Sequence, residues 1–147
     1  MKKIIIGFIG DHNAGKTAAA NMLKKKGFHK ASINEKVEEF AGHLFQPYEI
    51  EKDKAVILNN VRRKGCKVHK EYWLNLVLTS LSDDKTMIIF DDLSIDEAES
   101  NKIKVCQIYR PNISTIELPD IDTIVNDGSL KDLSAKIDAF YKKIIGK

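Results

Sequence analysis

The stretch Gly10-Asp11-His12-Asn13-Ala14-Gly15-Lys16-Thr17 constrains this chain more than any other part of it. It meets the spacing GxxxxGK[ST] in full. Lys3–Ile9 before it is a short β-branched apolar run without alternation, as in a strand buried on both faces of a parallel sheet. Thr17–Lys26 after it carries Ala18, Ala19, Ala20, Met22 and Leu23, a lysine-rich last turn, and Gly27 as a stop signal. A strand, a glycine-bounded loop and a helix in that order make an anion cradle. Glycine lets backbone N–H groups turn inward without a Cβ in the way, and the helix N-terminus adds its dipole and unpaired N–H groups. Lys16 can reach the β- and γ-phosphates of a nucleoside triphosphate, and Thr17 offers a hydroxyl to Mg²⁺, which keeps several waters besides. The expected phosphate-contacting set is Gly10, Asn13, Ala14, Gly15, Lys16 and Thr17, with ATP and Mg²⁺ as cofactors. His12 is read as a solvated loop residue.

The chain has 147 residues, which fits one domain over 1–147. A net charge of +3 is too weak to argue for nucleic acid. Lysine dominates the cations, and the arginines are Arg62, Arg63 and Arg110 alone. Arginine is the usual bidentate clamp for phosphate, so those three carry weight. Cys66 and Cys106 lack CxxC spacing and read as reduced packing residues in a cytoplasmic setting. No apolar run approaches the roughly 20 residues of a membrane span. The run after Met1-Lys2-Lys3 stops at Gly10-Asp11-His12 without a small-residue cleavage site, so a strand is expected there rather than a leader.

Further along, Phe28–Ser32 reads as a short strand, with Ser32 capping a helix from Ile33 to about Phe45. Val37, Phe40, Ala41, Leu44 and Phe45 share one face of it, and Gln46-Pro47 ends it. Ala55–Val61 reads as helical and Arg62–Lys67 as a loop. Glu71–Leu81 is expected as a helix with Tyr72, Trp73, Leu76 and Val77 inward. Strands are expected at Thr86–Phe90, Val105–Tyr109 and Ile121–Val125. A short helix is expected over Ile95–Asn101. A closing helix is expected over Ser129–Ile145, with Leu130, Leu133, Ile137, Phe140, Tyr141 and Ile144 on one side. Strands alternating with helices predict a three-layer α/β/α fold with a mostly parallel sheet of about five strands, the Lys3–Ile9 strand central.

A phosphate loop that transfers phosphoryl groups needs a carboxylate near the metal, usually at a neighbouring strand end. Met87-Ile88-Ile89-Phe90-Asp91-Asp92 supplies it, with Asp91 the first choice for a metal and catalytic role and Asp92 the second. An aspartate after a strand also serves as a helix cap.

Four stretches together resemble the deoxynucleoside monophosphate kinases of bacteriophages and their bacterial relatives, in the nucleoside-monophosphate-kinase-like group of P-loop kinases to which dephospho-CoA kinase is also near. They are Ile5–Thr17; Tyr72-Trp73-Leu74-Asn75; Ile88–Glu99; and Ile108-Tyr109-Arg110-Pro111 with Val125-Asn126-Asp127-Gly128-Ser129-Leu130. The resemblance implies a kinase acting on a small nucleotide, with Arg110 at a catalytic strand end and Asn126 and Asp127 in a turn beside the donor base. This chain departs from the pattern at Leu93, where the family carries an arginine. Arg62 and Arg63 are candidates for the acceptor phosphate, beside the plain reading of a solvated basic loop. The expected reaction moves the γ-phosphoryl of ATP to a phosphorylated acceptor of the nucleoside monophosphate kind. The alternative is a nucleotide-binding protein or slow ATPase of the same fold without an acceptor site. A regulatory GTPase is disfavoured, since no Asn-Lys-x-Asp motif occurs. The expected partner is a small-molecule nucleotide, with no nucleic acid and no membrane, and a homodimer left open.

Overall fold

The computed structural model describes residues 3–45, 54–100, 102–114 and 121–146. In chain order these form β1 (Ile4–Ile9), α1 (Lys16–Lys24), β2 (His29–Ala31), α2 (Ile33–Phe45), α3 (Lys54–Val68) and α4 (Tyr72–Ser80). They continue with β3 (Met87–Phe90), α5 (Ile95–Ala98), β4 (Lys104–Tyr109), β5 (Asp122–Val125) and α6 (Leu130–Ile145). Gln46-Pro47, the rest of 48–53 and Asn101 lie outside the described residues. The described chain divides into two compact units, residues 1–31 with 85–147, and residues 32–84.

The first unit holds the sheet. Its five strands run in the order β2-β3-β1-β4-β5. Every pairing is parallel, including Ile5↔Ile88 and Phe8↔Cys106. The expected α/β fold with β1 at the centre is the one found. Side chains alternate across β1. Ile6 and Phe8 are fully buried among Ala19, Ala20 and Leu23 of α1 and Leu133, Ile137 and Phe140 of α6. Burial of each large apolar side chain there contributes roughly 1.5–3 kcal/mol. Gly7 faces the other way, and a Cβ on it would overlap Leu93 Cδ1 and press on Ile103. Leu93 and the short α5 cover that second face, so helices stand on both sides of the sheet.

The end of β1 leads to α1 on one face, and the end of β3 leads to α5 on the other. Adjacent parallel strands whose connections leave in opposite directions open a crevice at their carboxyl ends. The glycine loop sits at that point. Leu130, expected inward on α6, is 69% exposed because it lies in the helix's first turn, ahead of the stripe Leu133, Ile137 and Phe140.

The second unit is helical. Ser32 Oγ accepts from Glu35 N at 3.1 Å, which is the expected cap of α2. Val37 and Ala41 of α2 are buried, as are Trp73, Leu74 and Val77 of α4, while Phe40 stays 39% exposed. Phe40 meets Trp73 edge-on at 5.7 Å between ring centroids. The expected loop at Arg62–Lys67 is corrected: α3 continues through it to Val68. Gly65 there is a contact residue, since a Cβ on it would overlap the Trp73 indole. Trp73 Nε1 donates to the Arg62 carbonyl at 2.9 Å beside it. Arginine and lysine are good helix formers, so one glycine does not break the run.

Candidate phosphate-binding site

The chain leaves β1 through Gly10 at φ 151°, turns left-handed at Asn13 (φ 67°) and Gly15 (φ 109°), and enters α1 at Lys16. A Cβ on Gly10 would stand 2.5 Å from the Ile108 carbonyl oxygen, and one on Gly15 would stand 2.5 Å from Asn126 Nδ2. Gly10 is therefore required by space as well as by backbone angle, while at Gly15 the left-handed angle is the stronger demand and a Cβ would displace the Asn126 amide.

The two long helices of this unit begin differently. Ser129 closes α6 with a full capping box, its hydroxyl accepting from Asp132 N at 3.2 Å and Asp132 accepting from Ser129 N at 3.0 Å. At the start of α1, Gly15 supplies no side-chain cap and the first turn has no acidic residue. First-turn N–H groups such as those of Lys16 and Thr17 have no partner four residues back within the helix. An anion is the natural partner for such an end.

Three side chains fix the loop. Lys16 Nζ donates to the Gly10 carbonyl at 2.7 Å, lying over its own loop. Arg110, just beyond β4, donates through Nη1 to the Asn13 carbonyl at 3.3 Å. Asn126, just beyond β5, donates through Nδ2 to the Ala14 carbonyl at 2.9 Å. The Ala14 N–H donates to the Asp11 carbonyl at 3.1 Å, so the forward donors are those after it. A cleft of about 520 Å³ opens here, lined by His12, Asn13, Gly15, Lys16, Thr17 and Arg110 among others. A second hollow of about 290 Å³ shares Arg110 and Ile113 with it and is lined by Asn126, Asp127 and Gly128. Gly10–Thr17, Arg110 and Asn126 thus converge.

Asp127 turns aside. Lys136 donates to its Oδ1 at 3.1 Å and to the Val125 carbonyl at 2.5 Å. The Lys136 hydrogen bond and charge hold the exposed Asp127 carboxyl below its ordinary range. Asp91 stands at the end of β3 with its carboxylate on Lys30 at 3.3 Å. Asp92 is half-buried beside it. Leu93 is 8% exposed, packed on Gly7, so its position faces apolar interior. Arg62 and Arg63 belong to the second unit. Arg62 Nη1 donates to Asn34 Oδ1 at 2.6 Å. Arg63 lines a cleft of about 600 Å³ with Phe40, Tyr72 and Trp73.

Sequence reasoning missed Lys30 and Lys136. A lysine inside a three-residue sheet strand was the available sign of the first. Lys136, on the polar side of α6, carried no sign at all.

The residues suit the groups implied. The left-handed turns at Asn13 and Gly15 and the start of α1 without a side-chain cap are the kind of backbone that receives phosphate oxygens. A threonine hydroxyl and a carboxylate acting through water are oxygen donors of the kind Mg²⁺ takes alongside substrate phosphates.

Fold and loop together define an α/β protein consistent with the P-loop type. The crystal structure of TT1252 from Thermus thermophilus is similar to it, with TM-score 0.59 and 17% identity over 97% of this chain and 98% of that one. At that identity the likeness shows the fold alone. An unliganded sugar kinase from Janibacter sp. HTCC2649 aligns at TM-score 0.49 and 13% identity over 97% of this chain and 95% of that one, too weak a likeness to bear on function. No protein-family model and no curated protein matches the chain. No described helix is long and apolar enough to cross a membrane.

Proposed function

We propose that this chain is an ATP-dependent phosphotransferase that moves the γ-phosphoryl group to a small phosphorylated acceptor of the nucleoside monophosphate class. The observation that carries the reading is the start of α1: a left-handed loop, no side-chain cap, no acid in the first turn, and two cations, Lys16 and Arg110, resting on loop carbonyls. Those ammonium and guanidinium groups are held where phosphate oxygens would replace the carbonyls as acceptors. Bound with the nucleotide, Mg²⁺ supplies charge neutralisation on the phosphate oxygens. Lys16 and the first-turn N–H groups bind and orient the phosphates. Arg110 would stabilise charge on the transferring group, and Asp91 would be the carboxylate that holds Mg²⁺ through water or orients the acceptor. Such catalysis is mainly positioning and electrostatics, so a strong general base is not required. Asn126 and Asp127 form the wall of the adjoining hollow, which suits the donor base.

The second reading is a nucleotide-binding protein or slow ATPase. Leu93 favours it, because a buried leucine on Gly7 leaves that strand end without an arginine. ADP formation with Mg²⁺, measured with and without a panel of nucleoside monophosphates and dephospho-CoA, separates the two. Acceptor-dependent ADP formation is expected. In that assay Asp91→Asn should lower turnover by about a hundredfold, and Arg110→Lys should also lose turnover because the fork is gone. Slow hydrolysis indifferent to every acceptor would select the second reading.

A further inference from the structure

Asp91 does not stand alone at the end of β3. Its Oδ2 lies 3.3 Å from Lys30 Nζ, and its side chain is only 10% exposed. The same ammonium stands 3.4 Å from Asn21 Oδ1. Lys30 belongs to β2, paired with β3 through Lys30↔Ile89 and Ala31↔Phe90. Asn21 belongs to α1 and follows Thr17 by four positions. Residues at that spacing share one helix face, just over one turn or about 6 Å apart. A single lysine therefore ties the helix face that carries the Thr17 hydroxyl to the strand end that carries the Asp91 carboxylate.

We infer that Lys30 is a positioning residue for the metal side of the nucleotide site. It holds Asp91 by Oδ2 and leaves Oδ1 to accept from water on a divalent cation bound with the nucleotide. The inference rests on the reading of Gly10–Thr17 as a nucleotide-phosphate loop. Its physical ground is the cost of burying a carboxylate without a partner. Lys30 offsets that cost and, through Asn21, sets the direction of the carboxylate. Without Lys30, Asp91 turns to solvent, and that change withdraws its oxygen from the metal side. The lysine charge also repels a cation, but the carboxylate it contacts cancels most of that field, so orientation is the larger effect.

Calorimetry of ATP binding to the full chain, with EDTA and then across a Mg²⁺ series, tests this. Lys30→Met is expected to leave metal-free ATP affinity within about twofold and to raise the Mg²⁺ concentration for half of the metal-dependent gain by about tenfold. Asp91→Asn should do the same, and the double variant should add nothing, because the two residues act as a unit. Lys30→Arg keeps the charge and should restore most of the loss. Asn21→Ala changes an exposed helix position and should shift the same requirement by about threefold; it decides the matter if Lys30→Met is too unstable to assay. A wild-type Mg²⁺ requirement in Lys30→Met or in Asn21→Ala, or additive losses in the double variant, overturns the inference while the nucleotide loop stands. Failure of the wild-type chain to bind ATP at all overturns the reading beneath it.

Discussion

Asn126 Nδ2 donates to the carbonyl of Ala14 across 112 positions of sequence, at 2.9 Å. In a trans peptide the carbonyl and the following N–H point in opposite directions. Holding the Ala14 carbonyl toward Asn126 therefore turns the Gly15 N–H away from it. One side chain beyond β5 thus sets the direction of a donor in the Gly10–Thr17 loop. Asn126→Leu keeps the volume and removes the donor. ATP affinity should fall by about fivefold, the scale of one net hydrogen bond. Calorimetry beside a thermal melt checks it, and an unchanged affinity would show that the loop holds its shape without Asn126.

Leu93 makes a second expectation concrete. The resemblance drawn from the sequence implies an arginine at this position, yet the leucine here is 8% exposed and packs on Gly7. Leu93→Arg should not restore a phosphate contact. It should instead destabilise the fold by about 3 kcal/mol or more, as an uncompensated buried charge does. Urea unfolding measures this, and a variant of wild-type stability would mean the side chain has a route to solvent.

The third prediction concerns pH. Burial, and next the Asp122 carboxylate, push the Cys106 thiol up to about 12 from 9.0. A raised value means the folded state favours the neutral thiol. Its contribution is fully present below pH 9 and is lost as pH rises from 9 toward 12. The wild-type melting temperature should therefore fall more steeply over that window than that of Cys106→Ala. Parallel curves would contradict the assignment. In the native protein at pH 8, Cys106 should also resist thiol reagents that label it after denaturation.

Much of this was legible in the sequence, for identifiable reasons. β1 and the loop were readable because an unalternating apolar run and the glycine spacing each have one physical explanation. The cap at Ser32 and the turn at Ser129 were readable from local chemistry. α3 was not, because Gly65 looks like a breaker and is instead the place where Trp73 meets the helix backbone. Leu130 misled because its helical spacing does not reveal that the first turn lies beyond the core. Within the site, the loop residues were legible as a motif. The Lys30–Asp91 and Lys136–Asp127 pairs were not, since each joins separate elements through surface-type residues.

The claim that Gly10–Thr17 holds the phosphates of a nucleotide is tested most directly by calorimetry of ATP binding, with Mg²⁺, to the wild-type chain and to Lys16→Ala. Lys16 lies over the loop rather than in the core, so the variant should melt at the wild-type temperature. Its ATP affinity should be weaker by at least about tenfold, about 1.4 kcal/mol. Equal affinity in the two proteins would contradict the account.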